Sequence, residues 1–84
     1  MNDSILDTVK QLLGITVDYE CFDKQLITHI NSVLMILTQL GVGPPGGFTI
    51  QDRTDTWDEF LSTDANLELV KSYVQLKVRM LFDP

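Results

Sequence analysis

The sequence predicts an all-α fold: a small bundle of four helices, two long and two short, with a Gly/Pro-rich loop between the second and third. Three observations carry that prediction. Apolar residues recur at spacings of three and four along two long segments, as one helical face requires. Capping residues precede most of the segments, and glycine or proline follows them. Only Phe48-Thr49-Ile50 alternates in the manner of a strand, and alone it makes no sheet.

The first helix is expected near residues 4–13, with Ser4 as N-cap and Asp7 three residues on resembling a capping box. Ile5, Leu6, Val9, Leu12 and Leu13 keep helical spacing, and Gly14 is a natural stop. The second helix starts between Asp18 and Asp23 and ends at Gly41. Phe22, Leu26, Ile30, Val33, Leu37 and Leu40 form one face, which Ile27, Leu34 and Ile36 widen to well over half the circumference. A surface helix needs an apolar stripe of only about 100°. This helix is therefore expected at the centre of the bundle or beneath a second chain.

Gly41 to Gly47 is a loop with prolines 44 and 45 at its middle, stiff there and hinged by the flanking glycines. It lacks the Gly-Lys-Ser/Thr ending of a phosphate loop. A third, short helix follows, with Thr56 and Glu59 as a capping box and Trp57, Phe60 and Leu61 on one face. Ser62-Thr63-Asp64 breaks it. The last helix is expected from Ala65 to Leu81, capped by Asp64 or Asn66, with Asp83-Pro84 as its stop. Leu67, Val70, Val74, Val78 and Leu81 make one stripe; Leu69, Tyr73, Leu76 and Met80 make a second.

Composition narrows the function classes. The chain has 84 residues, of which 44% are hydrophobic, enough for one globular domain over 1–84 and too few residues for a separate cofactor domain. A domain this small usually needs a staple. One cysteine, Cys21, cannot form an internal disulfide, and with one histidine, His29, it cannot form a structural zinc site. Self-association is the remedy left. Twelve acids against six bases give a net charge of −6, which argues against tight duplex binding. Residues 1–70 hold three bases and eleven acids, whereas 71–84 hold three bases and one acid, so one copy is electrostatically complementary to another. The longest apolar run, Val33 to Leu37, is too short to span a membrane, and Asp3 and Asp7 stand where an export signal would be basic. A reduced, cytoplasmic compartment is the default expectation.

Phe48-x-Ile50, then Trp57-x-x-Phe60-Leu61, then a final helix running Val70-Lys71-Ser72-Tyr73-Val74-Gln75-Leu76-Lys77-Val78-Arg79-Met80-Leu81 into Phe82-Asp83-Pro84 give the chain a recognisable order. It resembles the head–tail connector family of tailed phages and prophages, the small head-completion adaptors, over nearly its whole length. The resemblance implies an all-α virion component at the neck, made in the host cytoplasm. It implies a cyclic ring of identical copies beneath the portal protein, which extends the DNA channel and seats the next neck or tail protein. DNA would pass without sequence-specific binding, no membrane would be involved, and no catalysis or cofactor is expected. Family members commonly continue past the Phe-Asp-Pro ending.

The candidate subunit or partner contacts are Pro44, Pro45, Phe48, Trp57, Phe60, Lys77, Arg79 and Phe82. For Trp57 and Phe60 the core is the competing reading. For Lys71, Lys77 and Arg79 it is pairing with the helix dipole. The candidate channel-facing acids are Asp52, Asp55, Asp58 and Glu59, which lack the glycine and spacing of a calcium loop. His29 reads as a partly exposed helix residue and Cys21 as an inert side chain. A second functional class fits the charge as well: a small acidic interaction protein, such as a DNA mimic. It differs from the connector in needing no closed ring.

Overall fold

The computed structural model describes residues 4–44, 46–61 and 67–82. Four helices occur among them: α1 (Ile5–Leu12), α2 (Asp23–Gln39), α3 (Trp57–Phe60) and α4 (Leu67–Phe82). No strand occurs among the described residues, and an isolated bridge pairs Ser4 with Thr56.

The ends of α1 follow local chemistry. Ser4 Oγ accepts a hydrogen bond from the Asp7 N–H at 3.1 Å, satisfying one of the orphan donors of the first turn. At the other end the Gly14 N–H donates to Gln11 O and the Ile15 N–H to Lys10 O, the paired bonds of a Schellman motif. The end of α2 repeats it, with the Gly41 N–H on Thr38 O and the Val42 N–H on Leu37 O. Gly41 takes φ +86°, a left-handed conformation that a side chain would disfavour.

The start of α2 is set differently. Its N-cap, Phe22, makes no side-chain capping bond. Asp23 in the first turn instead receives Lys10 Nζ at 2.8 Å, and the same ammonium donates to Val17 O at 2.8 Å. Lys10 is 1% exposed. One buried cation thus fastens α1, the 13–22 connection and α2 together.

α2 and α4 form the main packed pair. Phe22 meets Phe82 edge to face, with ring centroids 5.1 Å apart, so the start of α2 lies at the end of α4 and the two run antiparallel. α2 buries Leu26, Ile30, Val33, Leu34 and Leu37, and α4 buries Val70, Val74 and Val78. Ile5, Leu6 and Val9 of α1 complete this core with Ile50, Trp57 and Phe60. The stripes read from the sequence overrun it. Phe22 and Leu40, the caps of α2, and Leu81 near the end of α4 are exposed, so the stripes extend past the buried core at the helix ends. The expected start of α4 at Ala65, its caps Asp64 and Asn66, the Ser62-Thr63-Asp64 break and the Asp83-Pro84 stop lie outside the described residues.

α3 is a single turn. The Thr56 N–H donates to Glu59 Oε1 at 2.8 Å. Leu61, expected inside this helix, is instead its extended C-cap at φ −134°, ψ 92°. Trp57 Nε1 donates to Thr8 Oγ1 at 3.1 Å, which anchors α3 to α1. Phe60 packs against Phe48 (centroids 5.6 Å apart) and against Gly43. Gly43 stands at φ +87°, and a Cβ there would lie 2.5 Å from Phe60 Cε1, so only glycine fits. The expected extended piece at 48–50 has no strand partner. A side chain holds it: Asn31 accepts the Ile50 N–H at 2.7 Å and donates to Ile50 O at 3.0 Å.

Candidate interaction surface

The apolar residues left on the outside concentrate on one flank of α4. Leu69, Tyr73, Leu76 and Met80 step by four, three and four, which holds them within about 60° of arc along the helix. Leu69 is 69% exposed, Leu76 58% and Met80 64%; Tyr73 is half-buried. The Lys77 ammonium stands 5.5 Å from the Tyr73 ring centroid and gives this band a cationic edge. Ile36 and Leu40 add exposed aliphatic surface at the end of α2, which the antiparallel pairing brings to the level of Leu69. Together these aliphatic side chains expose on the order of 500 Å², the upper range for a patch on a monomer.

A second apolar area occupies the end of the bundle where α1 stops, α2 starts and α4 finishes. Arg79 Nη2 donates to Leu12 O at 3.1 Å and brings the end of α1 to α4. Tyr19 packs edge to face on Phe22 at 5.6 Å, and Phe22 on Phe82. Leu12 and Tyr19 are each nearly half exposed, and Phe22 somewhat less. Exposed Cys21 lies in the same turn, and its nearness holds the Tyr19 phenol above its ordinary pKa. Asp18 and Glu20 are exposed beside it.

The structure separates the sequence-derived candidates. Trp57 is fully buried and Phe60 is 2% exposed, so both are core side chains and neither is presented at the surface of this fold. Phe48 and Phe82 are half-buried, against Phe60 and Phe22 respectively. Pro44 is half-buried, with its carbonyl accepting the Gly47 N–H at 3.0 Å; Pro45 lies outside the described residues. Lys77 edges the α4 band, whereas Arg79 is used on Leu12. The band itself rests on Leu69, Leu76 and Met80, which the choice of aromatics, prolines and cations passed over. The signal was present as the second stripe of the last helix.

Three of the four candidate channel acids hold local backbone. Asp52 Oδ1 accepts from the Thr54 N–H at 2.8 Å and from the Thr54 hydroxyl, which keeps its carboxyl below the ordinary range. Asp55 Oδ2 accepts from the N–H groups of Gln51 and Asp52, and Glu59 caps α3. Asp58 is half-buried. Arg53, on Asp7 at 3.0 Å, is raised further by that carboxylate and by nearby Asp18 and Glu20. His29 is half-buried, and its Nε2 is buried with no hydrogen-bond partner among the described residues. Among the described residues no group of three or more metal-binding side chains converges, and no helix is long and apolar enough to cross a membrane.

The helical unit thus carries a wide aliphatic band on one helix and a second apolar area at its end. A family model described as Phage connector protein matches residues 5–84. The chain belongs to that family. No curated protein and no solved structure matches it. Membership makes the chain a structural component of a phage virion that associates with other head or tail proteins.

Proposed function

We propose that the chain is a subunit of a closed ring below the portal protein at the head–tail junction, non-catalytic and without a cofactor, assembled in the host cytoplasm. The observation that carries this reading is the exposed aliphatic band of Leu69, Leu76 and Met80 on α4, which no part of its own chain among the described residues covers. Such a surface is stable in water only at the cost of keeping apolar area wet, and burying it against another copy recovers that free energy. A ring needs two different complementary surfaces on each subunit, and the band and the bundle end are two such surfaces. The net charge of −6 suits a bore through which DNA must slide, because an acidic wall repels phosphate where a basic one would grip it.

Electron microscopy of the purified chain at high concentration, alone and with portal protein, tests this reading. Rings are the expected result for the native chain. Leu76→Glu with Met80→Glu should leave a folded monomer that joins no ring. A monomer at every concentration that ignores portal and instead competes with DNA for a basic partner would replace the ring with the acidic-mimic reading.

A further inference from the structure

We infer that the ring contact is head to tail between the α4 band of one copy and the Leu12, Tyr19 and Phe22 end of the next. The inference rests on the ring reading and names the two surfaces that it leaves unassigned. Three observations support the pairing. Each surface is apolar and they face differently: one runs along the α4 flank, the other covers the end of the bundle, and they meet where α4 finishes. Lys77 edges the band, and exposed Asp18 and Glu20 at the end give it carboxylates to meet across such a contact, beside the Arg79 that the end also carries on Leu12. The band and its α2 neighbours expose on the order of 500 Å², over half of the ~800 Å² that each partner contributes to a standard interface, and polar rim atoms supply the remainder. A flank-to-end contact is heterologous, so it leaves the pair with one free surface of each kind and propagates until a ring closes.

Cys21 is the chain's only cysteine, is exposed, and lies within the end surface, which makes it a built-in reporter. Two single-cysteine proteins are compared with a bismaleimide spacer of about 8 Å, short against the ~20 Å of helix between positions 69 and 82. One is the native chain. The other carries Cys21→Ser with Leu69→Cys or, separately, with Leu76→Cys. Head-to-tail contact predicts that each protein alone stays monomeric on a denaturing gel, that the mixture gives a dimer and nothing larger, and that Leu69→Cys in the native background gives a ladder. Asp18→Lys with Glu20→Lys should weaken the mixed dimer at least tenfold, and Lys77→Glu in the partner should restore it. Thr28→Cys, on the exposed side of α2, is the negative control. A dimer from either protein alone shows a like-with-like contact and overturns the inference. Absence of the mixed dimer under conditions where the native chain forms rings overturns the pairing and leaves the ring standing. Absence of both crosslinks and rings overturns both.

Discussion

The Lys10–Asp23 pair makes an asymmetric prediction. Lys10 is 1% exposed and its partner's side chain 26%, so the two charges differ in their access to water. Asp23→Ala strands the ammonium in the core with only Val17 O at 2.8 Å. Breaking a fully buried pair costs about 3–5 kcal/mol, and the lower end, about 3 kcal/mol, applies here because one carbonyl remains. Lys10→Met replaces the buried stem with one of similar length and leaves Asp23 able to turn to solvent, so it should cost only about 1 kcal/mol. Urea unfolding followed by the fluorescence of Trp57, the only tryptophan, reads both. With m near 1 kcal/mol/M, expected for a small domain, the midpoint falls by about 3 M for Asp23→Ala and about 1 M for Lys10→Met. Both are measured at one protein concentration, since self-association raises apparent stability. A Lys10→Met loss equal to or larger than that of Asp23→Ala would refute the claim that the buried partner sets the cost.

Other side chains give sharper local tests. Asn31→Ala leaves both polar groups of buried Ile50 without partners and should cost about 2 kcal/mol, with the Ile50 amide exchanging about 30-fold faster with deuterium. Gly43→Ala combines a left-handed backbone with a Cβ driven into Phe60, and should lower stability by about 2–3 kcal/mol in thermal unfolding; Phe60→Leu in the same chain relieves the clash and not the backbone strain. The Asp52 carboxyl is held below its ordinary pKa by the Thr54 hydroxyl and N–H. A lowered folded pKa means that its contribution is present above the ordinary carboxylate range and is lost as pH falls through the folded value. The Thr54 amide shift should therefore titrate in acid below about pH 4, and Asp52→Asn should abolish that titration in NMR spectra.

The parts of this fold that were legible in the sequence are those encoded within a few residues. Ser4, Gly14 and Gly41 each sit where capping chemistry needs them, and each does what its type predicts. The start of α2 was not legible, because no cap specifies it; Lys10, thirteen residues upstream, does. Periodicity gave the faces of α2 and α4 but not how far a partner covers them, hence the exposure of Phe22, Leu40 and Leu81. Trp57 and Phe60 illustrate the ambiguity of aromatics: spacing cannot distinguish a core side chain from a contact, and it was Gly43, Phe48 and Thr8 that enclosed them. Asp52, Asp55 and Glu59 are candidate channel-facing acids by sequence. Their spacing to Thr54, Gln51 and Thr56 is that of side chains folding back on nearby backbone, which competes with that reading.

The aliphatic band separates stability from function most cleanly. At the exposed positions of α4, glutamine has nearly the helix propensity of leucine and methionine, so folding gains little from Leu76 and Met80 being apolar. Retaining them costs solubility. A residue type that the monomer does not need and that water disfavours is explained by what it touches outside the chain. Leu76→Gln with Met80→Gln should therefore leave the dilute monomer within about 0.5 kcal/mol of the native chain in urea unfolding. The same protein at high concentration should lose any assembly seen by light scattering. If the double substitution instead unfolds the dilute chain by several kcal/mol, the band belongs to the core, and the surface on which the assembly argument rests does not exist.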